Sequence, residues 1–157
     1  MAAKQKYFKI MAENRKARFD FHILDTFKAG LVLSGNEVKS IRLGRVNLQD
    51  SFGRVERGEV WVYGLHITPY MMVKGEPLRR RKVLLNKREI LKLTGKVAEK
   101  GLTLVPLKIY FEGNWAKVEL ALARAKKKYE KRETLRIKEA KREIERAFKG
   151  KTYGGKS

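Results

Sequence analysis

Apolar residues along the first 125 positions recur mostly at the two-residue interval of strands, and the interval lengthens to that of a helix in two places. Phe19, Phe21 and Ile23 alternate with Asp20 and His22, and Leu31 and Leu33 alternate again beyond Gly30. That is the pattern of a half-buried strand. Phe52 and Val55, then Val60-Trp61-Val62-Tyr63, predict two short strands joined through Glu56-Arg57-Gly58-Glu59. Leu65 and Ile67 carry the pattern on to Pro69, which ends a strand or puts it at an edge. The clearest hairpin joins Thr103–Phe111 to Trp115–Ala123 across Glu112-Gly113-Asn114, and Pro106 predicts an edge or a bulge in its first strand.

The first helical interval begins at Ser34. Glu37 follows at capping-box spacing, Val38 and Ile41 share an apolar face, and Gly44 stands where a short helix would need a left-handed residue to stop. Asn86 and Glu89 repeat the spacing ahead of Ile90, Leu91 and Leu93, with Gly95 as the predicted end. Two such helices set among short strands predict a mainly β fold, a small closed barrel of the oligonucleotide-binding kind with a central helix. A split-barrel α+β domain is the alternative. Residues 1–12 read as a loosely ordered lead-in, 13–124 as the barrel domain and 125–157 as a tail.

Charge changes this picture more than any motif does. The 157 residues hold 38 Lys and Arg against 17 Asp and Glu, a formal net charge of +21. A field of that sign draws in polyanions, nucleic acid before anionic lipid. With no cysteine and two histidines, the chain lacks disulfides, Cys nucleophiles and an ordinary zinc set. No triad, phosphate-cradling glycine loop or paired acid and base is present, so the expected function is binding, without cofactor or catalysis. No apolar run approaches the roughly 18 residues of a membrane span, which predicts a cytoplasmic location.

Cations cluster where elements are predicted to end: Arg15, Lys16, Arg42, Arg45 and the run Arg79-Arg80-Arg81-Lys82. Phe19, Phe21, Phe52, Tyr63 and Tyr70 interleave with them, a combination suited to backbone tracking with base stacking. From Arg124 to Lys151 the chain carries 13 Lys and Arg against 5 Glu, with a thin apolar stripe of Ile137, Ala140, Ile144 and Phe148. Such a tail is predicted to be disordered alone and helical on a polyanion.

Several words of the sequence occur together, in this order, in one family. They are Asn14-Arg15-Lys16-Ala17, Ala29-Gly30-Leu31, Glu37-Val38-Lys39-Ser40-Ile41-Arg42, Asn47-Leu48-Gln49-Asp50-Ser51 and His66-Ile67-Thr68-Pro69-Tyr70. After them come Arg81-Lys82-Val83-Leu84-Leu85, Thr103-Leu104-Val105-Pro106-Leu107, Lys117-Val118 and Lys126-Lys127-Lys128-Tyr129-Glu130-Lys131-Arg132. On these words the chain resembles the SsrA-binding protein (small protein B) family over about residues 10–148.

The resemblance implies an RNA-binding adaptor, not an enzyme, whose barrel holds the tRNA-like domain of transfer-messenger RNA. It implies that the tail becomes a helix in the empty mRNA channel of a stalled ribosome, at the decoding centre, with elongation factor Tu and GTP as indirect partners. Glu37, Lys39, Arg42, Leu84 and Lys117 are the family's RNA contacts carried over to this chain, beside Arg15, Lys16, Arg81 and Lys82 from the charge pattern. Lys126, Lys127, Lys128, Tyr129, Glu130, Lys131 and Arg132 would meet the decoding site. Asn36, Lys28, Ala125 and Glu130 depart from the family's usual Thr, acidic residue, Gly and Asp. A structural ribosomal protein anchored on rRNA is the alternative reading.

Overall fold

A computed structural model describes residues 8–71, 74–99 and 101–154, and the chain divides into two units, 1–125 and 126–157. In the first unit the strands are β1 (Phe8–Glu13), β2 (Phe21–Leu31), β3 (Val46–Asn47), β4 (Phe52–Glu56) and β5 (Glu59–Tyr63). They continue as β6 (His66–Ile67), β7 (Arg81–Leu84), β8 (Leu102–Glu112) and β9 (Trp115–Ala125). Seven of them form an antiparallel sheet in the order β1-β8-β4-β5-β7-β2-β9. Because β9 also pairs with β8, six strands close into a ring and β1 lies outside it on the free side of β8. Closure removes the exposed edges that a sheet of this size would otherwise present.

Inward-facing positions fill the ring. Val60, Val62, Val83, Leu104, Ile109, Val118 and Leu120 are all buried, as the two-residue period requires. Gly53 lets β4 approach β8 at its partner Leu104: a Cβ there would lie 2.8 Å from the Leu104 Cβ. Helix α2 (Gly35–Arg42) adds Ile41 to the core, and helix α3 (Lys87–Val97) adds Leu93. Burying each such aliphatic side chain contributes about 1.5–3 kcal/mol, which is what holds an eight-residue helix in place. A smaller apolar cluster, Ala17 with Val105, Leu107, Ala121 and Ala123, lies under helix α1 (Arg15–Asp20).

Three sequence expectations change here, and one about Pro106 holds. Residues 8–12 are not part of a loose lead-in but strand β1, whose apolar period is broken by a register shift between Ile10 and Ala12. Phe19 belongs to α1, so the strand starts at Phe21. Asn14 accounts for this: its Oδ1 accepts from the Ala17 N–H at 3.2 Å, and its Nδ2 donates to the Leu48 and Pro106 carbonyls. Helix α3 runs through Gly95 to Val97, because that position is open and a helical glycine costs only about 1 kcal/mol. Pro106 does mark a bulge, since the β8–β9 register shifts between Pro106 and Lys108.

The second unit contains helix α4, Lys128–Gly154. The tail predicted to be disordered in the free chain is thus helical here. No glycine or proline interrupts it before Gly150, and Glu133, Glu139 and Glu143 each stand three positions ahead of an Arg. Its first turns are tied by Lys126 Nζ to Thr134 Oγ1 at 3.0 Å and by Thr134 Oγ1 to the Glu130 carbonyl at 2.9 Å. Ile137, Ile144 and Phe148 of the apolar stripe are exposed. No helix of the described residues is long and apolar enough to cross a membrane.

Candidate nucleic-acid interface

Helix α2 begins as its sequence predicts. The Ser34 hydroxyl accepts from the Glu37 N–H at 3.3 Å, and Glu37 Oε1 accepts from the Ser34 N–H at 3.0 Å. The same carboxylate then reaches across to β7. Arg81 follows the two-residue period of that strand and points inward beside Val83, with 0% of its side chain exposed. Its Nε donates to Glu37 Oε2 at 2.7 Å, its Nη2 to the Pro77 carbonyl at 3.1 Å and its Nη1 to the Leu65 carbonyl. Arg79 closes on Glu37 Oε1 from outside.

Electrostatics follow from that geometry. Burial pushes the Glu37 carboxyl up, yet the Ser34 N–H, Arg79 and Arg81 outweigh it and hold the group below the ordinary glutamate range. Burial draws Arg81 below the ordinary arginine value, opposed by Glu37. The guanidinium keeps its charge, and its donors are matched by carboxylate and carbonyls.

Arg81, expected among the RNA contacts, is fully buried, and Glu37, expected beside it, is partly buried against it. A fully buried guanidinium cannot touch a phosphate, and each Glu37 oxygen already accepts from arginine. The basic run beside them is not a uniform cationic arm either. Arg80 lies 4.1 Å over the Trp61 ring and pairs with Glu56 at 2.9 Å, while Lys82 pairs with Glu59 at 3.5 Å. Lys82 is half-exposed and partly neutralised.

The other expected residues are accessible. Lys39 and Arg42 share the outer face of α2, Lys39 Nζ 5.4 Å from the Tyr70 ring centre and Arg42 Cζ 4.9 Å from that of Phe111. The aromatic faces orient both cations without neutralising them. On α1, Lys16 is exposed and the Arg15 side chain is 92% exposed. Leu84 and Lys117, far apart in sequence, flank the same residue, because Gly30 pairs with Leu84 on one side and Lys117 on the other. They line a groove together with Gly30, Leu31, Val38 and Glu112. Lys126 to Arg132 belong to the second unit, where Tyr129 is exposed and Glu130 and Lys131 are half-buried.

Sequence reasoning passed over two residues. Asn14 positions α1 and its cations, and its only signal was cap chemistry ahead of Ala17. Trp115, 75% exposed at the end of the β8–β9 hairpin, lines the groove of Leu84 and Lys117. Its two-residue spacing with Lys117 and Glu119, opposite the core residues Val118 and Leu120, and the Gly113-Asn114 turn beside it were the signals of exposure. No group of three or more His, Asp or Glu suited to a metal occurs among the described residues.

A closed antiparallel barrel plugged by short helices, cationic outside and continued by a basic helix, is a small β-barrel protein of the oligonucleotide-binding-like class. The model of the family described as SmpB protein matches residues 11–150, so the chain belongs to that family. An "SsrA-binding protein" of Carboxydothermus hydrogenoformans is 59% identical over 146 residues, covering 91% of this chain and 98% of the relative. One from Gloeobacter violaceus is 55% identical over 150 residues, covering 94% and 99%. A solved chain described as "tmRNA-SmpB: a journey to the center of the bacterial ribosome" superposes with a TM-score of 0.65 at 49% identity. It covers 80% of this chain and 94% of that one.

Proposed function

We propose that this protein is an RNA-binding adaptor of trans-translation: the barrel binds the tRNA-like domain of transfer-messenger RNA, and the tail engages the stalled ribosome. The observation that carries this reading is the likeness to the solved tmRNA–SmpB chain, which covers 94% of that chain at 49% identity. The geometry supports it through exposed cations seated on aromatic rings and a net charge of +21. Arg15, Lys16, Lys39 and Arg42 are the phosphate contacts on this reading, with Leu84 and Lys117 forming the apolar and cationic rim of a second contact. Lys82 contributes through its exposed part.

Lys126 to Arg132 form the tail's contact with the decoding centre, where Tyr129 has an open ring face to stack on a ribosomal base. Delivery occurs in the cytoplasm together with elongation factor Tu and GTP, and the adaptor itself performs no chemistry. A gel-shift comparison at one salt concentration tests this reading. Transfer-messenger RNA should bind at least tenfold tighter than an rRNA fragment of equal length, and equal affinity for the two would contradict it.

A further inference from the structure

Two leucines of the barrel unit stand in water at positions their elements do not require. Leu24 lies in β2, whose pairing with β9 slips between Ile23 and Asp25, so Leu24 is the extra residue of a bulge and is 53% exposed. Ile23, just before it, packs against the apolar cluster under α1. A bulge re-aims a side chain, and this one turns an aliphatic group into solvent. Leu91 lies on α3, where Ile90, Leu93 and Val97 supply the inward face, and it is 72% exposed away from that face. The two segments are tied together. Lys92 Nζ lies 3.1 Å from Asp25 Oδ2 and 5.7 Å from the centre of the Phe27 ring, so the residues that follow Leu91 and Leu24 pair directly.

The outer face of α3 has a second feature that the fold does not explain. Gly95 and Ala98 follow Leu91 at the spacing of one helix face, and both are exposed. A Cβ at Gly95 would meet nothing within 4 Å. A glycine destabilises a helix interior relative to alanine, and no neighbour within the chain requires one here. The space it leaves is what a second backbone needs to come close. Lys87 and Arg88, one turn ahead of Leu91, are exposed and pair with no acid among the described residues. Leu91 is therefore an apolar centre between a cationic turn and a gap.

We propose that α3 and the β2 bulge form a docking surface for an acidic amphipathic helix on a protein of the translation machinery. The partner's apolar stripe covers Leu91 and Leu24, its backbone crosses at Gly95, and its carboxylates meet Lys87 and Arg88. Charge selects that occupant. A second copy of this chain, at +21, would meet a field of its own sign. RNA gains nothing from two aliphatic side chains that offer no π face. An apolar centre with a polar rim is the layout of a protein–protein contact. The surface shares no residue with the RNA contacts assigned above, and it rests on the adaptor reading only for where the partner is met.

The test uses the full chain with the photo-crosslinker benzoylphenylalanine in place of Leu91. It is added to a translation system reconstituted from purified components, with stalled ribosomes and transfer-messenger RNA. Irradiation should join it to one acidic protein, at a helical segment located by mass spectrometry. In the same chain Leu24→Ser, Gly95→Gln and the double change Lys87→Glu with Arg88→Glu should each cut the yield about fivefold or more. Gly95→Gln should at the same time raise the melting temperature, because glutamine favours a helix over glycine and the position is open. A lowered melting temperature would return Gly95 to the fold and overturn its assignment. Leu24→Ser and Gly95→Gln should leave affinity for transfer-messenger RNA unchanged. Crosslinks to RNA, to a second copy of this chain or to a basic protein would overturn the proposal. So would no crosslink, or a yield that the substitutions leave intact. Binding of transfer-messenger RNA by the wild-type chain, measured on the same preparation, tests the adaptor reading separately.

Discussion

Arg81 and Glu37 form a buried ion pair between the inner face of β7 and the first turn of α2, Nε to Oε2 at 2.7 Å. The guanidinium also binds the carbonyls of Leu65 and Pro77, so a single side chain fixes the helix, the approach to β6 and the loop before β7. Lys39 and Arg42 project from the same helix. The buried pair therefore sets where the exposed cations stand.

Removing one member of such a pair leaves the other as an uncompensated buried charge. Arg81→Ala should cost about 3–5 kcal/mol of stability, read as a shift of the urea midpoint. Arg81→Lys should not restore it, because one ammonium cannot reproduce the planar fork that reaches a carboxylate and two carbonyls. Midpoints within a few tenths molar of wild type for both variants would contradict the role assigned to the pair.

Stability should also fall in acid through Glu37. Its folded pKa lies below the ordinary glutamate value of 4.5, so the unfolded chain takes up the proton first as pH falls. The contribution is complete above about pH 4.5 and disappears as pH drops through the folded value. Glu37→Gln should be less stable than wild type at neutral pH, and the gap should narrow below about pH 4. Asp25, lowered by its hydrogen bond to Lys92, has the same sign but is exposed and contributes little. Thermal melts at neutral and acidic pH check this, and a constant gap would contradict it.

Lys39→Ala and Arg42→Ala should each weaken binding to transfer-messenger RNA while leaving the melting temperature within a few degrees. Both are exposed, and a cation over a ring at such a site contributes only about 0.5–1 kcal/mol to folding. If each meets one phosphate, the slope of log affinity against log salt should fall by about one per substitution. An unchanged slope would remove that residue from the interface.

Much of this was readable from the chain. The Ser34–Glu37 capping box and the Thr103–Phe111 hairpin both formed, and Pro106 marks the bulge it predicted, because each rests on local backbone chemistry. Long-range pairing was harder to read. Phe8 to Ala12 join β8 across a register shift that erases the two-residue period, and Phe19 continues an alternation that Asn14 overrides by capping α1. Arg81 shows the limit most clearly. A run of four cations suggests a solvated arm, while the period places Arg81 on the inner face with Val83, and only Glu37 in space decides between them. Leu84 and Lys117 were named through family likeness, and their placement on either side of Gly30 emerged with the fold.

The division of labour between barrel and tail is tested most directly by ending the chain after Arg124, next to the boundary between the two units. Affinity for transfer-messenger RNA and rescue of stalled ribosomes would be measured on the same preparation in a reconstituted translation system. The barrel carries Arg15, Lys16, Lys39, Arg42, Leu84 and Lys117, so RNA affinity should stay within a few fold of the full chain. Tagging of the stalled peptide should be lost, because Lys126 to Arg132 and α4 are gone. Loss of RNA binding in parallel with rescue would contradict the account and make the tail the RNA anchor.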